Sequence, residues 1–563
     1  MKSGRYLVAG AAVLAAAVLA LAVALKPPAP ARAPAPAWRS EGVTLRGVFH
    51  LHTNRSDGTG TVDEVAAAAA RAGLQFLILT DHGDAARPPD PPTYRSGVLC
   101  IDAVEISTTA GHYAAIGLGP VPYPLGGEPR DVVEDVRRFG GFGVVTHPYS
   151  SKPELAWHAW NAPFDAIEWL NGDSQWRDAT PGELARAALT YCLSPVGTLT
   201  ALVRRPVALA RWDALARDRR LLTLAGSDAH ARIGLRETSE PYVDHVLVRL
   251  PSYETVFRVA SIRVWFAQAP PKDPVQAAAA IESAIRAGHM HSVVDGLAAP
   301  AVFDFTAQSG STVAHEGDQL PVADPVFIQV RANLPPGASI VLFRNGALVH
   351  RVRSQALIYA SNLEGAYRAE VWLSSEQGIT QVPWVVSNPI YVGLPPTAPA
   401  PAAFPQAPAD ALSTLGPETR WHVESDARSR GAVAKDGDVV GLRYRLAGGL
   451  KAGQFAALAG AVAVPASARG LTFVARAERP MRVSVQLREG RSQHQARWER
   501  SVYLEPDPHD IVVPLDEMIG AGGDDRALPP RTAFRSILFV VDTVNASPGS
   551  AGFFALRDIR FYR

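Results

Sequence analysis

The chain has 563 residues, 55 Lys+Arg against 54 Asp+Glu, and a formal net charge of +1. That length calls for two to four domains. The even charge balance leaves no basic stripe, which excludes nucleic acid as a main partner. Only two cysteines are present, Cys100 and Cys192. They make no disulfide framework, and both read as small buried hydrophobes.

Lys2 and Arg5 precede an uncharged run from Tyr6 to Leu25. At ~1.5 Å per residue it spans a bilayer core of ~30 Å. The positive end stays cytoplasmic. The reading is a signal anchor in the inner membrane with the rest of the chain outside the cytoplasm, in the periplasm of a bacterium. A cleaved signal peptide and a secreted form is the alternative. A Pro/Ala spacer completes residues 1–37. It is expected to be extended and to hold the folded body off the bilayer.

Residues 38–300 alternate apolar strands with helices. The strands include TLRGVF, QFLILT, VLCIDAV, GFGVV, FDAIEWL, LLTLAG and DHVLVRL. VDEVAAAAARAG reads as a helix capped by Thr61 and ended by Gly73, and PRDVVEDVRRFGG as one closed by Gly140 and Gly141. PVQAAAAIESAIRAG is a late helix. Residues 172–220 are a helical insertion, either a wall or lid of a site or simple packing.

Histidines and acids recur at the ends of these strands: His50 and His52, Asp81 and His82, Glu105, His112, His147, Asp228 and His230. His50 and His52 are two apart on an extended segment, so both point to one face. Parallel strands of one barrel bring their C-terminal ends to a shared rim, where sites form. Imidazoles with bridging carboxylates suit zinc, iron or manganese. A lone buried histidine is usually structural. Here separate strand ends all finish in ligand types, which favours a metal cluster.

After residue 300 short alternating segments are separated by Gly, Pro and Asn, a β-sandwich texture. Residues 301–394 read as a small Ig-like sandwich with a hairpin turn at Asn345-Gly346. Residues 395–417 read as a second Pro/Ala linker, and residues 418–563 as a jelly-roll.

His50-x-His52 with Ser56-Asp57-Gly58, then Thr80-Asp81-His82, Glu105, His147 and Ser227-Asp228-x-His230 resemble the PHP family, the polymerase-and-histidinol-phosphatase metallohydrolases. The resemblance covers residues 44 to 300. It implies a distorted seven-stranded, TIM-like β/α barrel with two or three divalent ions (Zn, Mn or Fe). It assigns His50, His52, Glu105 and Asp228 to a first metal. Glu105, His112 and His147 go to a second, and Asp57, His82 and His230 to a third. VSNPIYV is similar to the sandwich of a PHP branch that includes a carbaryl-type carbamate hydrolase. The last domain resembles galactose-binding or carbohydrate-binding modules, which makes carbohydrate a candidate partner beside a structural role.

The leading expectation is a phosphoesterase acting on a small phosphate ester through a hydroxide bridging two ions. Asp228 would orient the attacking water, and His230 or His82 would protonate the leaving oxygen. Arg55 and Arg232 would meet the phosphate. Lys152 and Trp157 are further candidate contacts, and Glu168 a residue that supports a ligand. The same centre on an amide, carbamate or carboxylic ester is the alternative. A third reading is an anchored envelope binding protein that works through its sandwiches. No G-x-S-x-G elbow or Walker loop competes.

Overall fold

The computed structural model describes residues 2–204, 207–236, 244–322, 325–374, 382–393, 407–415, 419–451, 453–490, 495–521 and 527–563. They fall into two compact units. The first holds residues 1–83, 89–119 and 136–399; the second holds 84–88, 120–135 and 400–563.

In the first unit, α1 (Lys2–Leu25) is long and apolar enough to cross a membrane, and it lies near the N-terminus. The Pro/Ala spacer is not the free segment expected. Ala31–Arg32 pairs in parallel with Ala298–Ala299, and Ala33 N donates to Ala299 O at 3.0 Å. Asn333 Nδ2 donates to Pro34 O at 2.9 Å. Extended, proline-spaced backbone offers unpaired carbonyls, and here the protein itself satisfies them.

The strands β1 (Val43–Leu51), β2 (Phe76–Leu79), β3 (Val98–Asp102), β4 (Val104–Thr108), β5 (Gly111–Ile116), β6 (Phe142–Val145), β7 (Ala166–Asn171) and β8 (Leu222–Ala229) pair in the order β3–β2–β1–β8–β7–β6–β5–β4. A parallel bridge between His82, just past β2, and Glu105 of β4 closes the run. β7–β8–β1–β2–β3 is a parallel run. β5 breaks it, pairing antiparallel with both β4 and β6. The break comes from a hairpin too short for a crossover helix. Thr108 Oγ1 donates to Gly111 O at 2.6 Å, and Gly111 adopts a φ of 101°. β2 and β6 are buried on every residue, as continuous apolar runs require when both faces are covered. DHVLVRL differs from the expectation of a further barrel strand. Asp244–Val248 pairs antiparallel with Ile233–Arg236 in a separate two-stranded sheet.

α2 (Val62–Ala72) carries the expected caps. Thr61 and Glu64 form a capping box, and Gly73 closes the helix at a φ of 77°. Such a cap contributes about 1 kcal/mol. Of the cysteines, Cys100 is buried on β3, whereas Cys192 is exposed just past helix Pro181–Thr190, contrary to the buried reading.

Residues 303–361 supply a four-stranded antiparallel sheet. The strands Ser339–Arg344, Gly365–Trp372 and Val385–Ser387 join the sheet of the barrel through the register His291↔Ser387. Asn345 and Gly346 adopt φ of 52° and 78°, the left-handed pair of a two-residue hairpin turn.

In the second unit, two six-stranded antiparallel sheets enclose a core that includes Leu442, Phe473, Val485, Phe539, Phe554 and Phe561. Of the expected linker, residues 395–406 and 416–417 lie outside the described residues. Ala411–Thr414 is a strand paired with Arg560–Tyr562 rather than linker. One polar patch is sealed within this unit. Arg482 holds Asp135 at 2.7 and 2.9 Å and Asp131 at 3.0 Å, and Arg500 also binds Asp131.

Candidate metal centre

Three of the strand-end residues adopt left-handed backbone: His50 (φ 63°), His147 (φ 31°) and Asp228 (φ 49°). Non-glycine residues hold such a conformation at a cost on the order of 1–3 kcal/mol each. Clustering of this strain at one place is the mark of a site whose geometry is imposed by its surroundings.

The side chains converge. His50 Nε2 lies 3.3 Å from Glu105 Oε2 and 3.2 Å from Asp228 Oδ1. His52 Nε2 lies 3.3 Å from Glu105 Oε2, 3.2 Å from Asp228 Oδ1 and 3.3 Å from His50 Nε2. His50, His52 and Glu105 are almost wholly buried. The other oxygen of Glu105 faces a different pair: His147 Nε2 at 3.0 Å and His112 Nδ1 at 3.4 Å. Asp57 Oδ1 gathers a third group, with His230 Nε2 at 3.2 Å, His52 Nδ1 at 3.5 Å and His82 Nε2 at 3.8 Å.

Supporting contacts fix the tautomers. His50 Nδ1 meets Glu168 Oε1 at 2.7 Å, His147 Nδ1 meets Leu155 O at 2.9 Å, and His230 Nδ1 meets Asp228 O at 2.9 Å. A backbone carbonyl only accepts, so His147 and His230 carry their proton on Nδ1 and turn an Nε2 lone pair to the carboxylates. Glu168 gives His50 the same tautomer. Nitrogen and carboxylate oxygen at 3.2–3.3 Å attract only with a proton or a metal cation between them. With no metal, burial is overcome by the surrounding carboxylates, which raise His50 and His52 well above the usual imidazole range. Four ligands about a zinc ion at ~2.0–2.1 Å lie roughly 3.3 Å apart, so the donor set fits such an ion.

Burial alone would raise the Glu105 carboxyl, but His50, His82 and His112 hold it well below the usual carboxylate range. Asp228 is likewise held low against burial, by His50, His52 and His230. Both are anionic, as ligands must be.

Every sequence-predicted ligand is in this cluster. His112, readable as a loop histidine, is the second residue of β5 and is buried. A cavity of about 290 Å³ opens above the cluster and is lined by Asp57, His82, Glu105, His112, His147, Asp228 and His230, together with Lys152, Arg177 and Arg232. Arg232 Nη2 holds Asp57 Oδ2 at 2.8 Å. Arg55 does not line the cavity. It is taken by Asp102, at 3.0 Å, and by Asp90, which removes the ground for the phosphate contact expected of it. Trp157 is buried against Tyr113 and Phe164. Asn171 was not evident in the sequence. Its Nδ2 holds both Glu168 Oε2 (2.8 Å) and Asp228 Oδ2 (3.2 Å), and its one signal is its place at the end of AIEWLN. Gly226 makes room for this contact, because a Cβ there would fall 1.6 Å from Glu168 Oε1.

No family model matches the chain, and no curated protein matches it. Solved structures share partial likeness. A two-domain protein from Bacteroides vulgatus containing a predicted PHP-like metal-dependent phosphoesterase is 15% identical, with a TM-score of 0.28, over 64% of this chain and 98% of that one. An amidohydrolase from Chromobacterium violaceum is 16% identical, with a TM-score of 0.21, over 33% and 87%. A family 11 carbohydrate-binding module from Clostridium thermocellum is 12% identical, with a TM-score of 0.22, over 27% and 94%. At such scores the chemistry of this chain stands on its donor geometry alone.

Proposed function

We propose that residues 38–300 form a PHP-type metallohydrolase, a distorted seven-stranded β/α barrel that cleaves a small phosphate ester. The observation that carries this reading is the convergence of two imidazole Nε2 atoms and two carboxylate oxygens at 3.2–3.3 Å, with the Nδ1 of His50 already committed to Glu168. His50, His52, Glu105 and Asp228 would hold a first ion. Glu105, His112 and His147 would hold a second, and Asp57, His82 and His230 a third. Zinc, manganese and iron all suit this donor set. When bound, such ions bring the pKa of a water molecule toward neutrality and offset charge developing on phosphoryl oxygens.

The chain's own residues do the rest. Glu168 and Leu155 O keep the imidazoles of His50 and His147 in the ligating tautomer. Asn171 steadies Asp228, whose carboxylate would orient the attacking water. Arg232 and Arg177, paired with Asp57 and Asp173, line the cavity with Lys152 beside Glu105 and Asp228, and with ions bound the sum of charge would suit an anionic ester better than a neutral amide or carbamate. With two ions bound, His82 and His230 would be left at the cavity wall, and only an imidazolium there could give a proton to the leaving oxygen. Burial pushes His82 down to about 3, which favours His230 for that role. With three ions bound both would be ligands.

Helix α1 fits an inner-membrane anchor that places the body in the periplasm, with a cleaved signal peptide as the alternative. In the second unit Arg482 and Arg500 are engaged by Asp131 and Asp135. That supports a structural role over carbohydrate binding at this patch.

The test is a metal analysis and a substrate screen of the detergent-solubilised full chain. Two or three ions per chain, with turnover of phosphate mono- or diesters that stops on chelation, is the expected result. Turnover of aryl carbamates or amides alone would move the assignment to the alternative chemistry. A chain that retains turnover without metal would overturn the whole reading.

A further inference from the structure

The polar cavity above the metal cluster has a neighbour of opposite character. A second cavity of about 70 Å³ is bordered by Asp173, Trp176, Asp228, His230 and Arg232, which also border the first. Its far side is apolar, made by Leu170 of β7, by Leu199, Leu202 and Val203 of the helical insertion, and by Val256 and Val259 across from them. Trp176 is held in place by its own Nε1, which donates to Asp173 Oδ1 at 2.9 Å. The insertion therefore forms a wall of the site and not packing alone.

We propose that this annex receives a compact branched alkyl group of the substrate, while the anionic head lies among the metal-site residues and Arg232. The inference rests on the hydrolytic reading above and names the substrate class more narrowly, as phosphate esters carrying an isopropyl- or isobutyl-sized group. Charge and apolar surface side by side sort a substrate by its two ends, since each end is rejected by the other's surroundings. The size limit comes from the volume. An apolar cavity of ~150 Å³ admits benzene, and this one is about half that.

The experiment uses the metal-loaded full chain. Across methyl, ethyl, isopropyl and isobutyl phosphate, kcat/KM should rise roughly four-fold for each carbon buried. It should fall again for naphthyl phosphate. Leu202→Trp, which fills the annex, should flatten the isobutyl-to-methyl ratio toward one. A flat series in the wild-type protein overturns the annex. Calorimetry separates its failure from that of the phosphoryl reading. Isobutylphosphonate is compared with methylphosphonate, and isovalerate with acetate. Tighter binding of the branched member in either series supports the annex. Branched preference among carboxylates with no phosphonate binding keeps the annex and overturns the phosphoryl head. Equal binding within both series, or none in either, overturns the annex.

Discussion

Two clusters of buried charge can be set side by side in this protein, and they are built on opposite principles. In the second unit, Arg482 and Arg500 face Asp131 and Asp135, so every buried anion has a buried cation of fixed charge within hydrogen-bond reach. In the first unit, Glu105 and Asp228 accept from Thr146 and Asn171, but the groups they face that can carry positive charge are imidazoles. The Nδ1 atoms of His50, His147 and His230 are tied to Glu168, Leu155 O and Asp228 O. The first arrangement is complete as it stands. The second reaches electrical balance only by protonating histidines or by taking up a cation from solution. A buried polar cluster thus announces function when its own members cannot satisfy one another.

The sharpest way to break this contrast is at the incomplete cluster. His50→Ala or Asp228→Asn should lower turnover beyond about 10⁴-fold, the scale of losing a metal centre, while circular dichroism and the unfolding of the sandwiches stay unchanged. Retained turnover in either variant would place the chemistry elsewhere. At the complete cluster the effect should appear in stability and not in activity. Arg482→Met leaves Asp131 and Asp135 short of a partner and should cost about 3–5 kcal/mol in denaturant unfolding of the second unit, with metal content unaltered.

Glu168→Gln tests the link between the incomplete cluster and its supports. It should weaken metal affinity about 10–100-fold, read by competition with a chromophoric chelator. The smallest effect concerns Asp542, whose carboxyl burial pushes up to about 6 against the help of the Val544 N–H. A raised acid stabilises the fold fully below its unfolded pKa near ~3.9 and loses that contribution as pH rises through about 6. Asp542→Asn should remove that loss, on the order of 3 kcal/mol, between those limits. A wild-type stability profile that is flat from about pH 4 to 6 would refute it.

Much of the cluster was legible in the sequence because its residues sit at the ends of short apolar runs, where a strand stops and side chains share a rim. Thr61, Gly73 and Asn345-Gly346 were legible for a similar reason, since local backbone chemistry decides them. What the sequence hid depends on contacts far along the chain. The capture of Arg55 by Asp90 and Asp102 and the pairing of Ala31–Arg32 with Ala298–Ala299 each join residues that no local pattern relates. Asn171 stayed hidden because an asparagine after an apolar run reads equally well as a helix cap. It is one, accepting from Ser174 N, while its amide serves the cluster.

The pairing of Ala31–Arg32 has a consequence for how the protein would search for substrate. Only residues 26–30 separate the end of α1 from that fixed strand, a reach of roughly 20 Å at full extension. A chain anchored through α1 would thus be moored on a short line and would not roam at the end of a flexible arm. Its cavity mouth would sweep one thin layer of solution beside the bilayer, and translation in the membrane plane would replace free tumbling as the motion that brings the mouth to new substrate.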